Sequence, residues 1–129
     1  MLEKKVILAI DDKQEDLNIL ESILVPQFTL RTARSASGAL ASLNSCKADL
    51  ILLDVNLPNI SGFEFLGDIR KIPSYMNIPV IVFNAKIENE PSGKANDPNI
   101  FDAMWKPIDR ERLISTIGEA LEAKETKQF

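Results

Sequence analysis

The segment that decides the fold of this chain is LILLDVNLPNISG, which spans Leu50–Gly62. Four apolar residues are followed at once by Asp54 and then by asparagine, proline and glycine. An apolar run of this length that ends in turn residues predicts a strand buried on both faces of a sheet. Ligands of open parallel sheets bind beyond the carboxyl ends of the strands, which makes Asp54 a candidate functional residue. Position alone does not separate that role from the cap of a turn.

A second apolar run, Val6–Ile10, ends in the pair Asp11 and Asp12. If its strand neighbours the first one, three carboxylates converge at one end of the sheet. Carboxylates held this close repel one another and do not all stay ionised without a cation, and their hard oxygen atoms suit Mg²⁺ or Mn²⁺. The sequence therefore predicts a bound divalent cation. A third strand-like run, Ile100–Trp105, is followed by Lys106. A phosphate site also requires a cationic side chain, and Lys106 is the candidate for it.

Three motifs together indicate a family. They are Asp11-Asp12, the segment Asp54-x-x-Leu57-Pro58-x-x-Ser61-Gly62, and Lys106-Pro107. In this order and at these separations, over nearly the whole chain, they resemble the receiver domain of two-component response regulators, the CheY-like phosphoacceptor module. The resemblance implies that Asp54 accepts a phosphoryl group from the phosphohistidine of a partner, either a histidine kinase or a histidine phosphotransferase.

The resemblance also implies roles for the other site residues. Asp11, Asp12 and Asp54 would hold Mg²⁺ or Mn²⁺, with Asp11 acting mainly through water and the backbone carbonyl of Asn56 contributing. Lys106 would contact the phosphoryl oxygens. The domain would then change its docking surface for a downstream protein target, and it would not turn over an external substrate.

The remaining apolar patterns predict the fold. Five strand-like runs alternate with helical patterns, which predicts a parallel sheet covered by helices on both faces. The resemblance supplies the rest: a doubly wound, flavodoxin-like (CheY-like) α/β fold with strand order 2-1-3-4-5. The second run alternates Phe28, Leu30 and Thr32 with polar residues, so we expect its strand at a sheet edge. Ser61 and Glu64 form a capping-box pattern at the start of the third helix.

Length and composition limit the possible functions. The 129 residues, 45% of them hydrophobic, suffice for a single domain over residues 1–129, with a polar tail expected to fray from about Ala123. A net charge of -4 without a basic run argues against binding to nucleic acid or to a membrane surface. One cysteine, Cys46, and no run long enough for a signal peptide or a membrane span predict a cytoplasmic protein. Without histidine, the chain cannot itself carry a phosphohistidine.

Three features depart from the usual family pattern. Asn84 ends the fourth strand where receivers carry threonine or serine, although its amide group can still donate a hydrogen bond. Ala103 stands where the family has a tyrosine or phenylalanine that changes rotamer. The segment Lys86–Asn99 contains two prolines and no apolar stripe, so we expect the fourth helix of the family to be short, displaced or missing.

These departures concern the switch and output region. Its candidate residues are Ala85, Lys86, Ala103, Trp105 and Pro107. Trp105 lies two residues after Ala103, which puts both on the same face of a strand. The sequence therefore predicts that Trp105 fills the core volume left by the missing aromatic ring and does not itself signal.

Two other functions compete with a phosphorylation-switched signalling domain. A degenerate receiver that docks constitutively would explain Asn84 and Ala103, but the intact acids and Lys106 argue against lost phosphorylation. A small phosphatase of the haloacid dehalogenase type also uses an aspartate nucleophile, Mg²⁺ and a lysine. Its second acid would fall at Asn56, which cannot carry a proton in the same way, and the chain leaves no room for a substrate cap.

Overall fold

The computed structural model describes residues 4–84 and 97–127 of the chain. This part of the chain forms five strands and four helices. In chain order they are β1 (Val6–Ile10), α1 (Gln14–Leu24), β2 (Thr29–Ala33), α2 (Ala36–Ser45), β3 (Leu50–Asp54), α3 (Gly62–Ile69), β4 (Val80–Phe83), β5 (Ile100–Met104) and α4 (Arg110–Lys127). The weak helix predicted between β4 and β5 falls mainly in residues 85–96, so it lies outside the described residues, as do Ala85 and Lys86.

The five strands pair in parallel in the order β2-β1-β3-β4-β5, which confirms the predicted sheet. β3 lies in the middle and is buried along its whole length. A central strand with helices on both sides has no solvated face, which explains the unbroken apolar run before Asp54. β2 lies at one edge and is mostly exposed, as its alternating pattern predicted.

Helices cover both faces of the sheet because successive strand side chains point to opposite sides. The core under α1 and α4 includes Ile7, Leu17, Leu20, Leu52, Ile81, Leu113 and Ile117. The core under α2 and α3 includes Leu8, Leu43, Ile51, Leu53, Phe63, Leu66 and Val82. Each such buried side chain stabilises the fold by about 1.5–3 kcal/mol relative to an exposed one. None of the helices in the described ranges has the length and hydrophobicity of a membrane span.

The last helix is longer than the sequence predicted. We expected the tail to fray from about Ala123, but α4 continues to Lys127. Leu113, Ile117 and Ala120 are fully buried under the sheet and anchor the helix. Once a helix is anchored, each further residue adds a backbone hydrogen bond at low entropic cost. The described helix therefore includes most of the segment in which fraying is predicted.

Candidate functional site

The pairing of the strands brings their carboxyl ends to one edge of the sheet. β1 ends at Ile10, β3 at Asp54, β4 at Phe83 and β5 at Met104, and these ends lie within one residue of one another in the strand register. The polar residues at or just beyond them are Asp11, Asp12, Asp54, Asn84 and Lys106. The structure therefore brings these predicted site residues together, and an acidic pocket forms at this edge.

Asp54 lies at the centre of the acidic pocket. It is 2% exposed, and both of its carboxylate oxygens are hydrogen-bonded. Its Oδ1 accepts from the backbone N–H of Asn56 at 2.8 Å. Its Oδ2 accepts from Lys106 Nζ at 2.7 Å and from Asn84 Nδ2 at 3.3 Å. A buried carboxylate with charged and polar donors on one oxygen is held in a fixed orientation.

The turn after β3 depends on a glycine at the start of α3. Gly62 donates its backbone N–H to the Val55 carbonyl at 2.8 Å, and a Cβ atom at Gly62 would lie 2.6 Å from the Val55 Cα. Ser61 caps α3, where its side chain accepts from the Phe63 N–H at 3.2 Å. The cap confirms the start predicted for this helix, and the close approach fixes the loop that begins at Asp54.

Asp11 and Asp12 differ in their surroundings. Asp11 is 3% exposed, and its carboxylate accepts from the Lys13 N–H at 3.0 Å and binds Lys106. Burial raises the pKa of Asp11 above its usual value, and the lowering effect of Lys106 does not outweigh it. Asp12 is only half-buried, and its carboxylate makes no hydrogen bond or ion pair with another described residue. Its backbone carbonyl instead accepts from the Arg34 side chain.

The Lys106 ammonium group binds three carboxylates. They belong to Asp11, Asp16 and Asp54, and the last two lie 2.7 Å from Nζ. Burial lowers the pKa of Lys106, but the hydrogen bonds from these carboxylates outweigh burial and raise the pKa above its usual value. Lys106 is therefore a permanent cation in the pocket.

Asp16 is a member of the acidic pocket that the sequence analysis did not single out. It lies in the first turn of α1 and is contributed by a helix, whereas the other acids follow strand ends. A signal was present, since Leu20 and Ile23, four and seven residues later, are buried under the sheet. Residues at these spacings share one helix face, so Asp16 lies at the sheet end of a buried stripe.

The donor set of the acidic pocket fits a divalent cation. Asp11, Asp16 and Asp54 outnumber the single ammonium group, and Asp12, which follows Asp11 in the sequence, adds a fourth carboxylate. All of these donors are hard oxygen atoms, which Mg²⁺ prefers. In residues 4–84 and 97–127, no three acidic, histidine or cysteine side chains form a ready-made metal cage. Lys106 binds the oxygens that such a cage would use.

Asn84 contacts the acidic pocket in the position where the family usually has a hydroxyl residue. Its backbone φ is 65°, a left-handed conformation that asparagine tolerates better than β-branched residues such as threonine. Its N–H donates to the Met104 carbonyl at 2.9 Å, which joins the ends of β4 and β5. Its side-chain amide donates to Asp54, so the expected hydrogen-bond donor is available in this chain.

The prediction for Trp105 is wrong. β5 ends at Met104, so Trp105 follows the strand and does not share the strand face of Ala103. Trp105 is 55% exposed, whereas Ala103 is half-buried and packs against the core under α2 and α3. The missing ring at Ala103 is therefore not replaced by Trp105, and the indole lies on the surface. Pro107 is also exposed and follows Lys106 through a cis peptide bond.

Comparison with known proteins gives the same assignment as the motifs. The family model of the response regulator receiver domain matches residues 7–118. A Vibrio cholerae protein named "Probable cyclic di-GMP phosphodiesterase" is 29% identical over 128 residues, which cover 99% of this chain and 29% of that protein. The transcriptional regulatory protein KdpE of Mycobacterium tuberculosis is 28% identical over 117 residues, which cover 90% of this chain and 50% of that protein. This chain thus spans half or less of these two relatives.

A solved structure shows the same architecture at full length. The crystal structure of a CheY-like response regulator receiver domain protein from Methanospirillum hungatei is similar to this chain, with a TM-score of 0.84 and 26% identity. The match covers 97% of this chain and 99% of that one. The family model, the strand order and the fold agree. The chain belongs to the response regulator receiver domain family and has the CheY-like fold.

Proposed function

We propose that this receiver domain accepts a phosphoryl group on Asp54 from the phosphohistidine of a partner histidine kinase or histidine phosphotransferase. One observation carries the proposal: Asp54 is a buried carboxylate at the end of β3, and one of its oxygens meets both Lys106 and Asn84. No other carboxylate described in this chain combines a strand end, burial and two side-chain donors of this kind.

The proposed transfer forms one bond and breaks one bond. An oxygen of the Asp54 carboxylate attacks the phosphorus, and the bond from phosphorus to the imidazole nitrogen of the partner breaks. The imidazole nitrogen keeps the electron pair of that bond. Negative charge spreads over the transferring oxygens, and Lys106 and Asn84 are the donors at hand to stabilise it. The domain would modify its own side chain and would not turn over an external substrate.

Asp11, Asp12 and Asp54, together with the backbone carbonyl of Asn56, would hold Mg²⁺ or Mn²⁺. The bound cation would supply positive charge that offsets the repulsion between these carboxylates and the incoming phosphoryl oxygens. The half-buried carboxylate of Asp12 supports this assignment because it makes no hydrogen bond or ion pair with another described residue. Asp11 would orient the cation mainly through water, as the family resemblance implies.

Phosphorylation would act on the surroundings through charge. It adds about 1.5 to 2 negative charges at Asp54. Lys106 and Asn84 are the neighbouring donors able to form hydrogen bonds with the added phosphoryl oxygens. Ala103 has no ring that could change rotamer, so we propose that the response stays in the segment that follows Asn84. That segment begins with the predicted switch residues Ala85 and Lys86, and the changed surface would bind a downstream protein in the cytoplasm.

A second candidate function is constitutive docking. The observation that favours it is Trp105, which is 55% exposed. Exposed tryptophans often anchor protein interfaces. A docking module of this kind would bind its target equally well whether or not Asp54 is phosphorylated. The haloacid dehalogenase alternative gains no support, since Asn56 is exposed and contacts Asp54 through its backbone N–H.

Intact-mass measurement tests the proposed function. The protein is incubated with phosphoramidate, whose phosphorus–nitrogen bond imitates phosphohistidine, with Mg²⁺ or with excess chelator. We expect the mass of one phosphoryl group to be added only with Mg²⁺, and no addition in Asp54→Asn. Labelling of Asp54→Asn to the level of the wild type contradicts the assignment. Absence of labelling in a folded wild-type protein leaves constitutive docking as the better account.

A further inference from the structure

The ammonium group of Lys106 uses all of its hydrogen-bonding capacity on carboxylates. An ammonium group has three N–H donors, and Nζ has three carboxylate partners, from Asp11, Asp16 and Asp54. The Lys106 side chain is only 16% exposed, so solvent does little to replace a lost partner. Two of the three partners come from strand ends and one comes from helix α1.

The three partners are not equivalent. Asp11 and Asp54 belong to the set proposed to hold the divalent cation, whereas Asp16 does not. A cation that binds Asp54 directly and Asp11 through water needs both carboxylates as acceptors, and it therefore competes with Lys106 for them. The ammonium group then has to leave them, and a buried ammonium group without a partner is costly. Asp16 is the partner that remains.

We propose that Asp16 is a positioning residue for Lys106, whose carboxylate retains the ammonium group in the acidic pocket when Asp11 and Asp54 turn to a divalent cation. The inference rests on the proposed function because it takes the cation site from it. Asp16 is suited to this role because its side chain is 21% exposed and sits in the first turn of α1, at the rim of the acidic pocket. From there it can keep its contact while the strand-end carboxylates change partners.

The positioning role has a consequence that a simple charge effect lacks. If Asp16 acts only by adding negative charge near the pocket, its removal weakens Mg²⁺ binding whether or not Lys106 is present. If Asp16 acts by retaining the ammonium group, its removal weakens Mg²⁺ binding only when Lys106 is present to compete. A double-mutant cycle between Asp16 and Lys106 separates the two cases.

The first measurement is the affinity for Mg²⁺ by isothermal titration calorimetry, with the emission of Trp105, the only tryptophan, as a second reading. We expect Asp16→Asn to weaken binding by about 10- to 100-fold, the range seen when an outer partner of a metal ligand is removed. Asp16→Glu keeps a carboxylate on the same helix turn and should restore most of the affinity. The matched control is Glu15→Gln, which removes an exposed charge from that turn and should change binding by no more than about threefold.

The second measurement repeats the titration in a Lys106→Met background. We expect Asp16→Asn to have no larger effect there than Glu15→Gln. An equal loss of affinity with and without Lys106 overturns the positioning role, and so does a failure of Asp16→Glu to restore binding. If Lys106→Met does not fold, a direct magnetic-resonance readout of the Lys106 ammonium group decides the question.

A direct readout of the Lys106 ammonium group keeps this inference separate from the proposed function. In ¹H–¹⁵N spectra of lysine ammonium groups recorded with saturating Mg²⁺, the Lys106 signal should persist in the wild type and Glu15→Gln, because salt-bridged ammonium protons exchange slowly. It should broaden in Asp16→Asn and return in Asp16→Glu. A signal unchanged in Asp16→Asn contradicts the retention of Lys106 by Asp16. If the spectra show these effects and the wild type binds Mg²⁺ but takes no phosphoryl group, only the proposed function is contradicted.

Discussion

Two partly buried cations of this domain, Arg70 and Lys106, are surrounded in opposite ways. Arg70 donates Nε to the Asp97 carboxylate at 2.6 Å, and its two terminal nitrogens donate to the carbonyls of Tyr75 and Ile78 at 2.6 and 2.7 Å. The positive guanidinium group thus pairs with one carboxylate, and its two terminal nitrogens donate to neutral carbonyl oxygens. The planar fork of arginine suits such a fixed arrangement.

Lys106 is buried to the same degree as Arg70, with 16% of its side chain exposed against 14%. Its partners are three carboxylates, so the ion pairs of Lys106 contain two more negative than positive groups. The charges of the Arg70 cluster are balanced. Its hydrogen bonds join the α3–β4 loop to the turn before β5. The Lys106 cluster still attracts positive charge. Equal burial with unequal charge balance therefore distinguishes the balanced Arg70 cluster from the proposed cation site.

Replacing one aspartate by asparagine in each cluster should reveal the difference between them most strongly. Asp97→Asn leaves the Arg70 guanidinium buried without its counter-charge, and we expect a loss of about 3–5 kcal/mol in the free energy of unfolding. Asp54→Asn leaves Lys106 with two carboxylates, and without metal we expect a change below about 1 kcal/mol. Urea denaturation in chelator measures both. Equal losses in the two variants would remove the distinction between the clusters.

Metal ions should stabilise only the protein with an intact acidic pocket. Binding to the folded state alone adds about 2.7 kcal/mol at a hundred times the dissociation constant. We expect this gain for Mg²⁺ in the wild type and in a folded Asp97→Asn variant, and a smaller gain in Asp12→Ala. Thermal unfolding over a Mg²⁺ series measures it. The metal site proposed above is wrong if Asp12→Ala gains as much as the wild type.

The loop that begins at Asp54 can be disturbed without changing any charge. A methyl group at Gly62 would meet the Val55 backbone, so Gly62→Ala should cost about 1–3 kcal/mol, as overpacked sites do. Gly67 lies in the same helix with nothing within 4 Å of the position of an added Cβ. Gly67→Ala should therefore stabilise the domain by about 0.5–1 kcal/mol. Urea denaturation measures the free energy of unfolding of both variants. A comparable gain in stability in Gly62→Ala would contradict the close approach.

The smallest effect is expected beside the site, at Trp105. Because the indole is mostly exposed, Trp105→Ala should change the free energy of unfolding by less than about 0.5 kcal/mol. The neighbouring Met104 is 4% exposed, and Met104→Ala should cost about 2–5 kcal/mol. Chemical denaturation followed by far-UV circular dichroism measures both without relying on the indole. A large loss in Trp105→Ala would restore the interpretation of Trp105 as a core residue.

The residues near strand ends could be predicted because their positions follow from local patterns. The apolar run of β3 fixed the place of Asp54, and the parallel sheet then put Asp11 and Lys106 beside it. Strand order itself came from the family resemblance, since the apolar runs do not state which strands are neighbours. Trp105 was misplaced because β5 ends one residue earlier than the apolar run suggested.

Side-chain pairs that involve a helix end or a loop were beyond the reach of sequence patterns. Asp16 and Lys106 are 90 residues apart, and Arg70 and Asp97 are 27 residues apart. Each pair depends on how a helix end or loop is set against the sheet, and hydrophobic periodicity does not give that distance. Only the three-dimensional structure shows which residues form these pairs. The unbalanced charge of the acidic pocket could therefore not be counted from the sequence.

The central claim is that Asp54 carries the phosphoryl group, and chemical trapping tests it most directly. The protein is treated with phosphoramidate and Mg²⁺ and then with sodium borohydride, which reduces an aspartyl phosphate to homoserine. Peptide sequencing by tandem mass spectrometry locates the new residue. We predict homoserine at position 54 in the Mg²⁺ sample and none in chelator. Homoserine at position 11, 12 or 16 with an unchanged Asp54 would contradict the account.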